Sequence, residues 1–126
     1  MSLEQKVNQM AGDESLIWGL IKMAKRYNYY PLPAGVDEDL GIPGVLFADG
    51  PRGCVIGNST CFPVSMARGA SFDVDLEERI GNVIGTEIRS HGANFFGGVC
   101  INLLRHPAWG RAQETYGEDP YLLGMM

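Results

Sequence analysis

Basic residues are scarce in this chain. Ten lysines and arginines stand against fifteen aspartates and glutamates, for a net charge of -5. No basic patch exists to neutralise phosphates, so nucleic acid is not expected as a partner. Long apolar runs are missing too. The longest falls far short of the ~20 residues that cross a bilayer, so no membrane partner is expected. The first ten residues are polar and amphipathic, unlike the apolar centre of a secretory leader, and a cytoplasmic location is expected. Histidine is limited to His91 and His106. The three cysteines, Cys54, Cys61 and Cys100, lack CxxC spacing. That argues against a zinc site, and no metal or other cofactor is expected. Buried free thiols are the first reading of the cysteines, with a Cys54–Cys61 disulfide as the alternative. Asn58-Ser59-Thr60 matches a glycosylation acceptor, read as a chance match without a secretory signal. GxSxG, P-loop, GxGxxG and HExxH sequences are all absent.

What is present fits a folded α/β unit. Hydrophobic residues make up 45% and charged residues 20% of the 126 positions, which favours a packed core over disorder. Glycines cluster at the junctions of apolar runs and mark tight turns. Ser2 and Gln5 have capping-box spacing for a short helix, with Leu3, Val7, Met10 and Ala11 on one stripe and Gly12 as its stop. Asp13 is placed to cap a second helix reaching about Arg26, with Leu16, Ile17, Leu20, Ile21 and Ala24 inward. Residues 27–44, with three tyrosines, three prolines and an acidic run, read as an irregular connection. Val45–Ala48 reads as a buried strand entering the turn Asp49-Gly50-Pro51-Arg52-Gly53.

Cys61 through Phe72 reads as loop, with a short strand as the alternative. Asp73 is the expected cap of a helix to Ser90. Leu76, Ile80, Val83, Ile84 and Ile88 form its core stripe, opposite Glu77, Glu78, Asn82 and Arg89. The run Val99–Leu104 predicts a second buried strand, and Asp119-Pro120 opens a last helix. Alternating strands and helices imply a parallel sheet. With only two or three strands, the chain is expected to supply about the first half of a (β/α)8 barrel, which takes about 250 residues when complete.

Two expected strand-end segments carry the chemistry. Asp49 can accept hydrogen bonds from ligand hydroxyls, and Gly50 and Pro51 fix the turn that aims it. Arg105 opens a dense polar and aromatic stretch reaching Pro120 and offers a rigid fork of donors. Together the two suit a neutral polyol better than a phosphate. A structural Asp–Arg pair bracing the sheet ends is the competing reading. Arg111, Glu114, Glu118 and Asp119 read first as scaffold, with Arg111 pairing to Glu118 or Asp119 beneath Trp109, and a catalytic role is the alternative. His106 reads as a structural or rim residue rather than a general base.

Asp49-Gly50-Pro51-Arg52-Gly53, Thr60-Cys61-Phe62-Pro63, Gly92-Ala93-Asn94 and the Arg105–Pro120 stretch resemble the N-terminal domain of glycoside hydrolase family three β-glucosidases. The opening Leu3–Met10 helix is similar to that family's first helix. The resemblance implies a retaining, exo-acting β-glucosidase releasing terminal non-reducing β-D-glucosyl residues, on a (β/α)8-like barrel followed by an α/β sandwich. It implies that residues 1–126 are the N-terminal part of the barrel domain, and that Asp49 and Arg105 bind the sugar. The expected partners are a β-glucoside or oligosaccharide and the remainder of the barrel and C-terminal domain. The family's nucleophile, an Asp usually followed by an aromatic, has no match, since Asp-aromatic does not occur here. No match to its acid/base occurs either, so the chain alone is expected to be inactive. The alternatives are a family-three β-xylosidase or N-acetylglucosaminidase, or a non-catalytic sugar-binding fragment that self-associates through exposed sheet edges.

Overall fold

In a computed structural model, residues 1–13, 15–26 and 28–126 are described, with the Arg26 side chain excepted. Helix α1, Leu3–Asn8, starts on the expected capping box: Ser2 Oγ accepts from the Gln5 amide, and Gln5 Oε1 accepts from the Ser2 amide. It ends before Gly12. Helix α2 covers Leu16–Arg26. Asp13 is not its cap. The Asp13 carboxylate accepts from the Val36 amide at 3.0 Å, and Ser15 Oγ accepts from the Trp18 amide at 3.4 Å. The side chains expected inward on both helices are exposed, including Leu3 at 79%, Leu16 at 78% and Ile17 at 70%. Their periodicity is helical, but no described element of this chain covers that face.

The stretch expected to be irregular contains strand β1, Leu32–Ala34, antiparallel to β2, Val45–Ala48. Pro33 is tolerated because β1 lies at the sheet edge, where one ladder donor is dispensable. Tyr27 lies outside the described residues. Strand β3 is Phe95–Phe96, parallel to β2 through Phe47↔Phe95 and Ala48↔Phe96, and the sheet order is β1-β2-β3. The expected strand at Val99–Leu104 does not form. Beyond Gly97, whose amide still reaches Ala48 O, β2 has already turned away at Asp49, so residues 99–104 have no partner strand among the described residues. The run is not buried as expected either: Val99 is 57% and Ile101 71% exposed.

The segment read as loop or strand holds a short helix, α3, Ser65–Gly69. Helix α4, Val74–Ser90, is capped by Asp73, whose Oδ1 accepts from the Leu76 amide, and it ends at His91. Its Ile80, Ile84 and Ile88 pack with Ala48, Cys54, Ile56 and Ala93 into the core, flanked by Phe62, Leu76 and Phe96. Val83, expected in that stripe, is 42% exposed. Glu77, expected outside, is buried. After a 3-10 turn at Ala112–Glu114, helix α5, Pro120–Met125, starts from Asp119 as expected. All three cysteines are free thiols; Cys54 and Cys100 are buried and Cys61 is exposed.

Candidate functional site

The two parallel strands β2 and β3 release their chains at one end of the sheet. Asp49 follows β2 directly and is exposed. Its Oδ1 accepts from the Gly50 amide at 2.8 Å, and its carbonyl accepts from the Val55 amide at 3.1 Å, closing the turn. Gly50 sits at φ 127°, and a Cβ there would fall 1.9 Å from Gly53 O. A Cβ on Gly98, just after β3, would fall 2.2 Å from Gly50 O. The two strand-end loops therefore meet backbone to backbone, an approach that only glycine allows.

Arg105 lies in the irregular segment after β3 and is exposed. Among the described residues no hydrogen bond or ion pair joins it to Asp49. Arg111 is a cation within electrostatic reach of Asp49. Its guanidinium is held above the ordinary arginine value, first by a hydrogen bond to Glu114, then by the Glu114 charge, with Asp49 the weakest contributor. Arg111 thus pairs with Glu114, Nε to Oε2 at 2.8 Å, and not with Glu118 or Asp119. The 3-10 turn puts positions 111 and 114 on one side, whereas Asp119 is engaged as the α5 cap. His106 Nδ1 accepts from the Ala108 amide at 3.1 Å and shapes its own loop.

Beneath the rim lies a buried polar network built from residues that the sequence reading left unused or placed on the surface. Arg68 on α3 is 5% exposed. Its Nη2 donates to Pro51 O at 2.8 Å and to Ser65 Oγ at 3.0 Å, and its Nη1 pairs with Glu77 Oε1 at 3.0 Å. Tyr116 donates its hydroxyl to the same Glu77 oxygen, and its ring lies 5.4 Å below the Arg68 guanidinium. Burial, reinforced by the bond to Glu77, pushes the Tyr116 phenol up to about 12. One carboxylate thereby ties together the Asp49 turn, α3, α4 and the Arg105–Pro120 stretch. A signal for Glu77 existed. Positions 77, 80, 84 and 88 follow helical spacing, so Glu77 extends the core stripe by one turn.

Two hollows flank the network. One of about 870 Å³ runs along α4, from Arg68 and Glu77 to Ile84, Ile101 and Leu123. The other, of about 390 Å³, opens between the Asp49 turn and the 3-10 helix, lined by Pro51, Arg52, Val55, Ser65, Gln113 and Glu114. Neither Asp49 nor Arg105 lines these two hollows. The exposed Asp49 carboxylate and Arg105 guanidinium offer acceptors and donors for hydroxyl groups. The carboxylate at Glu77 serves the interior.

Residues 24–126 match the model of the glycosyl hydrolase family 3 N terminal domain. Over 126 aligned residues the chain is 38% identical to a probable exo-1,4-beta-xylosidase of Aspergillus terreus, covering 96% of this chain and 16% of that protein. It is 33% identical to a beta-glucosidase of Rhizobium radiobacter, covering 97% of this chain and 14% of the relative. Its fold superposes on beta-glucosidase 3B of Thermotoga neapolitana, solved with alpha-D-glucose, at a TM-score of 0.78 and 26% identity. That likeness covers 99% of this chain and 19% of the solved one. The chain therefore spans less than a fifth of the length of these proteins. The mixed α/β fold matches part of the TIM-barrel domain that opens such enzymes. The chain belongs to glycosyl hydrolase family 3 and carries part of that family's N-terminal domain.

Proposed function

We propose that this chain contributes part of the sugar pocket of a retaining, exo-acting β-glucosidase, with Asp49 and Arg105 holding the hydroxyls of a terminal β-D-glucosyl residue. The observation that carries the reading is the position of Asp49, exposed at the end of a parallel strand, where (β/α)8 enzymes build their sites. One carboxylate oxygen is held by the Gly50 amide, which fixes the group while the other oxygen accepts from a hydroxyl. Arg105, exposed on the chain that leaves β3, supplies donors. Hydrolysis with retention needs two carboxyl groups about 5–5.5 Å apart across the glycosidic bond. Neither the family's nucleophile nor its acid/base has a counterpart in these 126 residues, so the chain alone binds sugar without turning it over. Likeness to a xylosidase at 38% identity favours a β-xyloside as the second reading.

Aryl β-glucoside and aryl β-xyloside assays on the purified chain test this. No release above buffer is expected from either. Release of the aryl group by the purified chain would overturn the division of labour.

A further inference from the structure

We infer that Arg68 is a positioning residue: its guanidinium holds the turn that aims Asp49, resting on the sugar-holding role proposed for that carboxylate. Pro51 stands two residues after Asp49, and its carbonyl is the only turn atom that a buried cation grips, among the described residues. The grip is charge-assisted and only 5% exposed, so water cannot take its place readily. Arg68 is itself held at both ends. Ser65 Oγ and Glu77 Oε1 accept from its two terminal nitrogens, and the Tyr116 ring lies against its face. Tyr116 belongs to the stretch that begins at Arg105, and Gly69 of α3 touches its backbone, since a Cβ there would fall 2.5 Å from Tyr116 O. Movement of the Arg105–Pro120 stretch is thereby coupled through Tyr116, Glu77 and Arg68 to the Asp49 turn. The two sugar-holding segments share one rigid fork, and neither Lys nor Gln reproduces its geometry.

Amide hydrogen exchange on the 126-residue chain, with Arg68→Met and Arg68→Lys, reads this directly. The reporters are Gly50, bonded to the Asp49 carboxylate, and Val55, bonded to the Asp49 carbonyl. Both variants are expected to speed exchange there about tenfold more than at Ile84 and Ile88 on α4, whose own rise reports the global stability lost with the buried pair; tenfold is the scale of one charge-assisted hydrogen bond. Arg68→Lys keeps a cation beside Glu77, so it remains informative if Arg68→Met fails to fold. A glucose titration of the same variants should lose affinity to the same degree. Unchanged exchange at Gly50 and Val55 in a folded variant would overturn the inference. A rise at Ile84 and Ile88 as large as that at Gly50 and Val55 would do the same, because it marks a general brace. Wild-type chain that ignores glucose would overturn the sugar-holding role while leaving the exchange result to decide the positioning one.

Discussion

Glu77→Leu isolates what the buried network does. The carboxylate takes Arg68 Nη1 at 3.0 Å and the Tyr116 hydroxyl, inside a site where Arg68 is 5% and Glu77 7% exposed. Leucine leaves the guanidinium with Pro51 O and Ser65 Oγ alone, one charge uncompensated, and leaves a buried hydroxyl without its acceptor. Removing one member of a buried pair costs about 3–5 kcal/mol, and the stranded hydroxyl overlaps with that loss rather than adding to it. Against a folding stability of about 5–15 kcal/mol for whole domains, this is a large fraction. Urea unfolding followed by circular dichroism should therefore show a much lower midpoint for Glu77→Leu. The double variant Glu77→Leu/Arg68→Met removes both charges and should recover most of the loss. A cost below about 1 kcal/mol for the single variant would refute the reasoning, because that is what a surface glutamate yields. A double variant as weak as the sum of its singles would refute it equally, by showing no coupling.

Other outcomes follow from the same geometry. Gly98→Ala should destabilise by about 1–3 kcal/mol, since its Cβ would strike Gly50 O at 2.2 Å. Gly81→Ala, in α4 with nothing within 4 Å, should stabilise by about 0.5–1 kcal/mol in the same urea series. Tyr116, pushed up to about 12 against an unfolded value near 10, keeps its proton in the folded state where the unfolded state has lost it. Its contribution is full below pH ~10 and is lost as pH rises toward ~12, so the fall in stability across that window should be smaller in Tyr116→Phe than in the wild type, read by urea unfolding at each pH. The exposed stripe of α2 should drive association: light scattering should show species larger than 13.8 kDa, reduced by Leu20→Glu with Ile21→Glu. A strictly monomeric wild type would count against that expectation.

Legibility in the sequence followed locality. Helix caps at Ser2, Asp73 and Asp119 were readable because each involves a side chain and an amide three residues apart. Strand β2 and its turn were readable because an apolar run met Asp-Gly-Pro. Strand β1 and β3 were not, because a strand exists only through its neighbour, and Val99–Leu104 has the better apolar run without the partner. The family was legible from the Arg105–Pro120 stretch, although that stretch serves mainly to build loop and brace. The Arg68–Glu77–Tyr116 network joins positions up to 48 residues apart, so no local pattern announced it. Only the phase of Glu77 on α4 pointed inward, and a charged residue type argued against following that phase.

The most direct measurement is a glucose titration of the isotope-labelled chain, followed by amide shifts. The account predicts saturable shifts at Gly50, Arg52 and Gly53 and around Arg105, abolished by Asp49→Ala and by Arg105→Ala, with helix α4 unaffected. Shifts that stay linear with glucose, or that survive both substitutions, would contradict the placement of the sugar at these two strand ends.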